Sequence, residues 1–169
     1  MVAFVYLSSF ISNPSLLTAG KAVTVASIGL FAGVSLSYNA IIMPSLRKIS
    51  NESALPVWAS AYNIGKNLQV GLILTSIAAG SSVYYKTENP YFLAAPLIMG
   101  SIIPYTLALI MPTNKILLGI LDGAKSDAQL DELFVKWDLF HFGRTVMSMV
   151  ALGLTLYGSF SSRTFIVRH

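Results

Sequence analysis

The sequence predicts an all-α integral membrane protein, a four-helix bundle running up-down-up-down, with its fourth helix extended beyond the bilayer. Three observations predict it. Hydrophobic residues make up 54% of the 169-residue chain and charged residues only 11%, against roughly a quarter charged in soluble domains. Mean hydropathy is +0.68. Four charge-free windows, 22–46, 67–85, 89–114 and 145–162, each have about the length that a spanning helix needs. A single domain over 1–169 is expected, with spans at about 18–46, 58–85, 90–113 and 138–162.

Each helix has local signals. Asn13-Pro14 reads as an N-cap followed by proline at the first helical position, and Pro44 lies near the far end of helix 1. Glu88-Asn89-Pro90 is a tight connection between helices 2 and 3. Helix 3 carries Pro96, Pro104 and Pro112, which predicts a kinked or locally unwound helix. Ser126-Asp127-Ala128-Gln129 fits a capping box. A helix from Ser126 to Ser161 is about 54 Å long at 1.5 Å per residue, beyond a hydrocarbon core of about 30 Å. Gly29 with Gly33, and Ser76 with Gly80, are small pairs that permit close helix approach.

Composition removes several function classes. The chain has no cysteine, so disulfides, thiolate nucleophiles, iron–sulfur clusters and thiol-based quinone chemistry are excluded. The +4 formal charge is read as basic loops facing anionic lipid, not as nucleic-acid binding. Lys and Arg are denser in the two longer loops, which places those loops in the cytosol and the termini on the other side. No phosphate loop, dinucleotide fingerprint or serine-nucleophile motif is present.

Chemistry concentrates at one end of the expected bundle. Tyr38 and Asn39 close helix 1, Trp58, Tyr62, Asn63, Lys66 and Asn67 open helix 2, Tyr105, Met111 and Asn114 close helix 3, and Trp137, Asp138, His141 and Arg144 open helix 4. Polar groups converging among apolar walls describe a small-molecule pocket. Trp137, His141 and Arg144 stand at i, i+4 and i+7 and are expected on one face, continued by Thr145 and Met149. Asp138 is placed to orient the imidazole. An imidazole and a guanidinium at the edge of an apolar span are costly near lipid and are expected to face a protein cavity. Other readings stand beside these. Trp58, Tyr62 and Tyr105 equally fit an interfacial aromatic belt, Arg144 a snorkelling cation, Asn114 a helix cap, and Asp138 a solvated surface carboxylate. His141 and Asp138 offer two ligands at most, so no metal site is expected, while a haem on His141 alone remains physically open.

The turn Met111-Pro112-Thr113-Asn114-Lys115 and the run Trp137-x-x-x-His141-x-x-Arg144 resemble the anthrone oxygenase family, small four-helix membrane proteins of fungal aromatic polyketide pathways. The resemblance implies oxidation of an anthrone to an anthraquinone by O2, in secondary-metabolite biosynthesis and in the endoplasmic reticulum or another intracellular membrane. Carried onto this chain, His141, Arg144 and Asn114 are the key polar residues and Trp137 an aromatic wall. The implied chemistry is a monooxygenase reaction needing no cofactor besides O2. An anthrone has an acidic methylene whose anion reacts with oxygen directly. His141 is then the general base, and Arg144 and Asn114 stabilise the oxyanion. The hydrophobic aromatic substrate reaches, from the lipid bilayer, a pocket lined by Trp137, Trp58, Tyr62, Tyr105 and Met111. The competing readings are a non-enzymatic tetraspan scaffold or assembly protein, which requires a filled interior, and a small transporter, which requires polar groups through the full membrane depth.

Overall fold

In the computed structural model, residues 14–123 and 129–161 are described, and among them all regular structure is helical. Four helices are long and apolar enough to cross a membrane: α1 (Pro14–Leu46), α2 (Asn51–Thr87), α3 (Tyr91–Leu121) and α4 (Leu130–Phe160). The protein is a multi-pass membrane protein of the all-α class. α4 has 31 residues, about 46 Å at 1.5 Å per residue, and so outruns a hydrocarbon core of about 30 Å. Its N-cap is Gln129. The rest of the expected capping box, Ser126 to Ala128, lies outside the described residues, as does Asn13.

α1 and α3 are each interrupted by one π-turn, at Tyr38–Ile42 and Thr106–Ile110. Both interruptions run into a Met-Pro pair, Met43-Pro44 and Met111-Pro112. A proline inside a helix removes one N–H and its ring collides with the carbonyl four residues back. A wider turn just before the ring relieves that collision. The bonds show the widening: the Met43 N–H donates to the Tyr38 carbonyl, and the Met111 N–H to the Thr106 carbonyl, five residues back in each case. The unwinding expected for α3 is thus present, and α1 has it as well.

Each helix packs against two neighbours, α1 on α2 and α4, and α3 on α2 and α4. Two apolar clusters form the core. One joins Tyr38, Met43, Trp58, Ile110, Leu117, Phe134 and Trp137. The other joins Ile28, Phe31, Ile73, Met99, Ile102 and Ala151. The outward faces carry Leu30, Ile64, Leu74, Leu97 and Leu139, all exposed, as suits surfaces that meet acyl chains.

Of the two small-residue pairs, one makes a close crossing. A Cβ built on Gly80 would run into the Pro96 ring and meet the Thr24 methyl at 3.2 Å. Gly29 and Gly33 do not behave this way. A Cβ at Gly33 would meet nothing within 4 Å, and one at Gly29 only Leu152 at 3.7 Å. That expected contact is corrected: Gly33 is exposed among the described residues. At the α2–α3 connection, Glu88 takes a left-handed conformation at φ 52°. The Asn89 side chain then donates to the Gly158 carbonyl at 3.0 Å, tying the connection to α4.

Candidate functional site

The two apolar clusters meet at a layer of polar side chains. Arg144 stands over the Phe31 ring of one cluster, 5.3 Å from its centroid. His141 touches the other cluster, stacked on Trp137 at 4.6 Å between centroids and tilted against Tyr38 at 5.1 Å.

Arg144 borders a cavity of about 250 Å³ between α2 and α3. Its Nη2 donates to Gln69 Oε1 at 2.6 Å, and Gln69 Nε2 in turn donates to Ser35 Oγ at 3.3 Å. The Arg144 Nε is buried and has no hydrogen-bond partner among the described residues. Asn114, Met111, Tyr62, Lys66 and Thr106 share the wall with Arg144, and Ile73 and Ile102 supply apolar surface. Among the described residues, the wall holds two basic side chains, Lys66 and Arg144, and no carboxylate. On the outer side it is made by Val70, Ile103 and Leu107, all exposed, so the cavity opens sideways between α2 and α3 toward the lipid-facing surface.

The residues expected at the site therefore divide. Arg144, Asn114, Tyr62 and Met111 line the cavity. His141, Trp137, Trp58 and Tyr105 do not. Trp58 is fully buried and lies behind Tyr62, its ring parallel at 5.4 Å, so the aromatic wall is two rings thick there. Trp137 meets Trp58 edge-on at 5.8 Å and donates its indole N–H to Asn114 Oδ1 at 2.7 Å. Tyr105 donates to the Phe140 carbonyl at 2.8 Å. That bond exists because Gly143 has no side chain: a Cβ there would collide with the Tyr105 hydroxyl.

His141 is buried at 1% exposure. Its Nδ1 lies 3.3 Å from Asn39 Oδ1, not beside Asp138. Asp138, expected to orient the imidazole, bonds to Asn39 and Arg47 and not to the ring itself. Asp138 pairs with Arg47 at 2.7 Å and accepts from Asn39 Nδ2 at 2.6 Å, because it projects toward α1. The common face of α4 also needs correction. Trp137 and His141 stack, and Thr145 is buried with them, but Arg144 turns toward α2 and Met149 is exposed. Gln69 gained importance only with the fold, and Asn39, already placed at the polar end, gained its partners there. Both are amides inside long apolar stretches, and that was the available signal.

Among the described residues, no three His, Asp or Glu side chains stand close enough to hold a metal ion. The His141 imidazole packs between Trp137 and Tyr38 and is not on the cavity wall.

Fold and site together define a small tetraspan membrane protein with a laterally open, cation-bearing apolar cavity. The family model for anthrone oxygenase matches residues 58–154, and the chain belongs to that family. It is similar to an anthrone oxygenase of Claviceps purpurea (strain 20.1), 24% identical over 89% of this chain and 94% of the relative. It is also similar to anthrone oxygenase AgnL2 of Paecilomyces divaricatus, 25% identical over 79% of this chain and 90% of the relative. No solved structure matches. These similarities support an oxygenase-type enzyme.

Proposed function

We propose that this protein oxidises an anthrone-type aromatic polyketide to the anthraquinone, using O2 and releasing water. The observation that carries the reading is Arg144, which lines an apolar cavity and has one buried N–H without a partner among the described residues. A flat aromatic ketone that reaches the cavity from the bilayer presents its carbonyl oxygen to that group. Loss of a methylene proton moves an electron pair onto that oxygen. Arg144 and the neighbouring Asn114 then stabilise the resulting oxyanion in a dry environment, where such contacts count for most.

The anion is electron-rich enough to reduce O2 without a cofactor. A carbon–oxygen bond forms at the former methylene and gives a hydroperoxide. Loss of the remaining hydrogen on that carbon and cleavage of the O–O bond leave the second carbonyl and one water. One oxygen atom is retained in the product and the other leaves in water. His141 is the proton acceptor in this scheme. It lies outside the wall, so the scheme requires a proton relay between the guest and the ring. Trp137 holds Asn114, and Trp58 backs Tyr62 against the guest.

The scaffold reading requires a filled interior, and the cavity beside Arg144 favours the enzyme. The test is turnover of an anthrone under ¹⁸O2 by the protein in lipid nanodiscs, corrected for spontaneous oxidation. One labelled oxygen in the anthraquinone above the uncatalysed rate is expected. His141→Gln should lower kcat by about 10²–10⁴-fold. No rate above background would remove the function, and full activity in His141→Gln would remove the base role.

A further inference from the structure

Asn39 has no role in the oxidation itself, yet its amide joins Asp138, Thr145 and His141. It sits in the π-turn of α1. Its Nδ2 donates to the Asp138 side chain at 2.6 Å and to the Asp138 backbone carbonyl at 3.0 Å. Its Oδ1 accepts from the Thr145 hydroxyl at 2.6 Å and faces His141 Nδ1 at 3.3 Å. Behind this amide, Arg47 Nη2 donates to the other Asp138 oxygen at 2.7 Å.

We propose that Asn39 is a positioning residue for His141, fixing the ring proton on Nδ1 and leaving Nε2 as the nitrogen that accepts a proton. The proposal rests on the oxygenase reading for its purpose, but its geometry stands apart from it.

The argument is one of donors and acceptors. An amide group can be placed in either of two orientations, and the hydrogen-bond network decides between them. Here the decision is forced. An ionised carboxylate and a backbone carbonyl can only accept, and both face one end of the Asn39 amide. Were that end the oxygen, two close acceptor pairs would oppose each other. The Arg47 ion pair holds the Asp138 carboxylate in place. The nitrogen end of Asn39 therefore faces Asp138, and its oxygen faces Thr145 and His141. An oxygen opposite Nδ1 requires a proton on Nδ1. A neutral imidazole carries one proton, so the lone pair is on Nε2.

Bond by bond, the chain runs from the Arg47 guanidinium through the Asp138 carboxylate and the Asn39 amide to the imidazole. It orients the ring as a directly bound carboxylate would. The last link is an amide oxygen, which fixes direction without placing a full negative charge against the ring. When Nε2 takes a proton, the Asp138 charge acts on the new cation through the polarised amide. Outer groups that orient a metal-bound imidazole typically change activity by about 10–100-fold when removed, and the same order is expected for this ring.

The experiment is ¹⁵N NMR of full-length, histidine-labelled protein in lipid nanodiscs, with the His169 signals identified by their loss in His169→Gln. The His141 ring should show a protonated Nδ1 and an unprotonated Nε2. In Asn39→Leu that tautomer should be lost or mixed. With an anthrone as substrate, kcat should fall by about 10–100-fold with little change in KM, because Asn39 touches no part of the cavity wall. An Nε2–H tautomer in the unsubstituted protein overturns the proposal without any variant having to fold. So does an unchanged tautomer in Asn39→Leu. Unsubstituted protein that shows the Nδ1–H tautomer yet oxidises no anthrone overturns the oxygenase reading and leaves the positioning of the imidazole standing.

Discussion

The Trp137 indole N–H donates to Asn114 Oδ1 at 2.7 Å, and both side chains are buried. This bond joins α3 to α4 beside the cavity and fixes which way the Asn114 amide points. With its oxygen committed to Trp137, Asn114 can act on a guest only through its NH2 group. Trp137→Phe and Asn114→Leu should each destabilise the protein. The double variant should be less destabilised than the sum of the two, with a coupling of about 0.5–2 kcal/mol. Unfolding in mixed micelles, run as a double-mutant cycle, measures it. A coupling of zero would mean the bond contributes nothing to the helix contact.

Arg144 offers more than a positive charge. Its Nη2 is held by Gln69, and Nε is a separate buried donor on the same rigid plane. Lysine keeps the charge but not the fork. Arg144→Lys and Arg144→Met should therefore both lower kcat by about 10²–10³-fold, the usual cost of losing an oxyanion donor. Equal activity of Arg144→Lys and the unsubstituted protein in steady-state assays would show that charge alone suffices.

The cavity opens between α2 and α3 past Val70, which is exposed. Val70→Trp should close this opening while leaving the helices packed as they are, since an indole on the lipid-facing side displaces no core residue. Binding of a fluorescent anthraquinone product should weaken by at least about tenfold, or about 1.4 kcal/mol, with the unfolding midpoint unchanged. Unaltered binding would place the guest elsewhere.

Gly143 leaves room for the Tyr105 hydroxyl to reach the Phe140 carbonyl. Gly143→Ala should cost about 1–3 kcal/mol of stability by overpacking. The same substitution in a Tyr105→Leu background should cost clearly less, because the colliding ring is gone. Equal cost in both backgrounds, measured by thermal unfolding, would locate the strain outside this contact.

Much of the architecture was legible along the chain. Four charge-free windows predicted four helices, because the length of an apolar run is a one-dimensional property and the bilayer thickness sets its scale. Pro96, Pro104 and Pro112 predicted an irregular α3 for a reason equally local, the missing N–H. Gly29 and Gly33 misled, because spacing marks where a close crossing is allowed and not whether another helix arrives there. The polar cluster at one end was legible in part. Arg144 and Asn114 were read as cavity residues from their place at the edge of apolar spans, and both line the cavity.

What the sequence alone determined is the class of structure and the small set of polar residues near one end of it. Only the tertiary structure decided how that set divides. His141 and Arg144 are three positions apart, so their directions differ by about 60° around the helix axis. That angle is small enough to look like one face and large enough to send one side chain to α1 and the other to α2. Which gap then opens as a cavity depends on how four helices lean together and on two π-turns that widen their backbones. These are properties of the packed bundle, fixed by contacts between residues as far apart in the chain as Asn39 and Thr145.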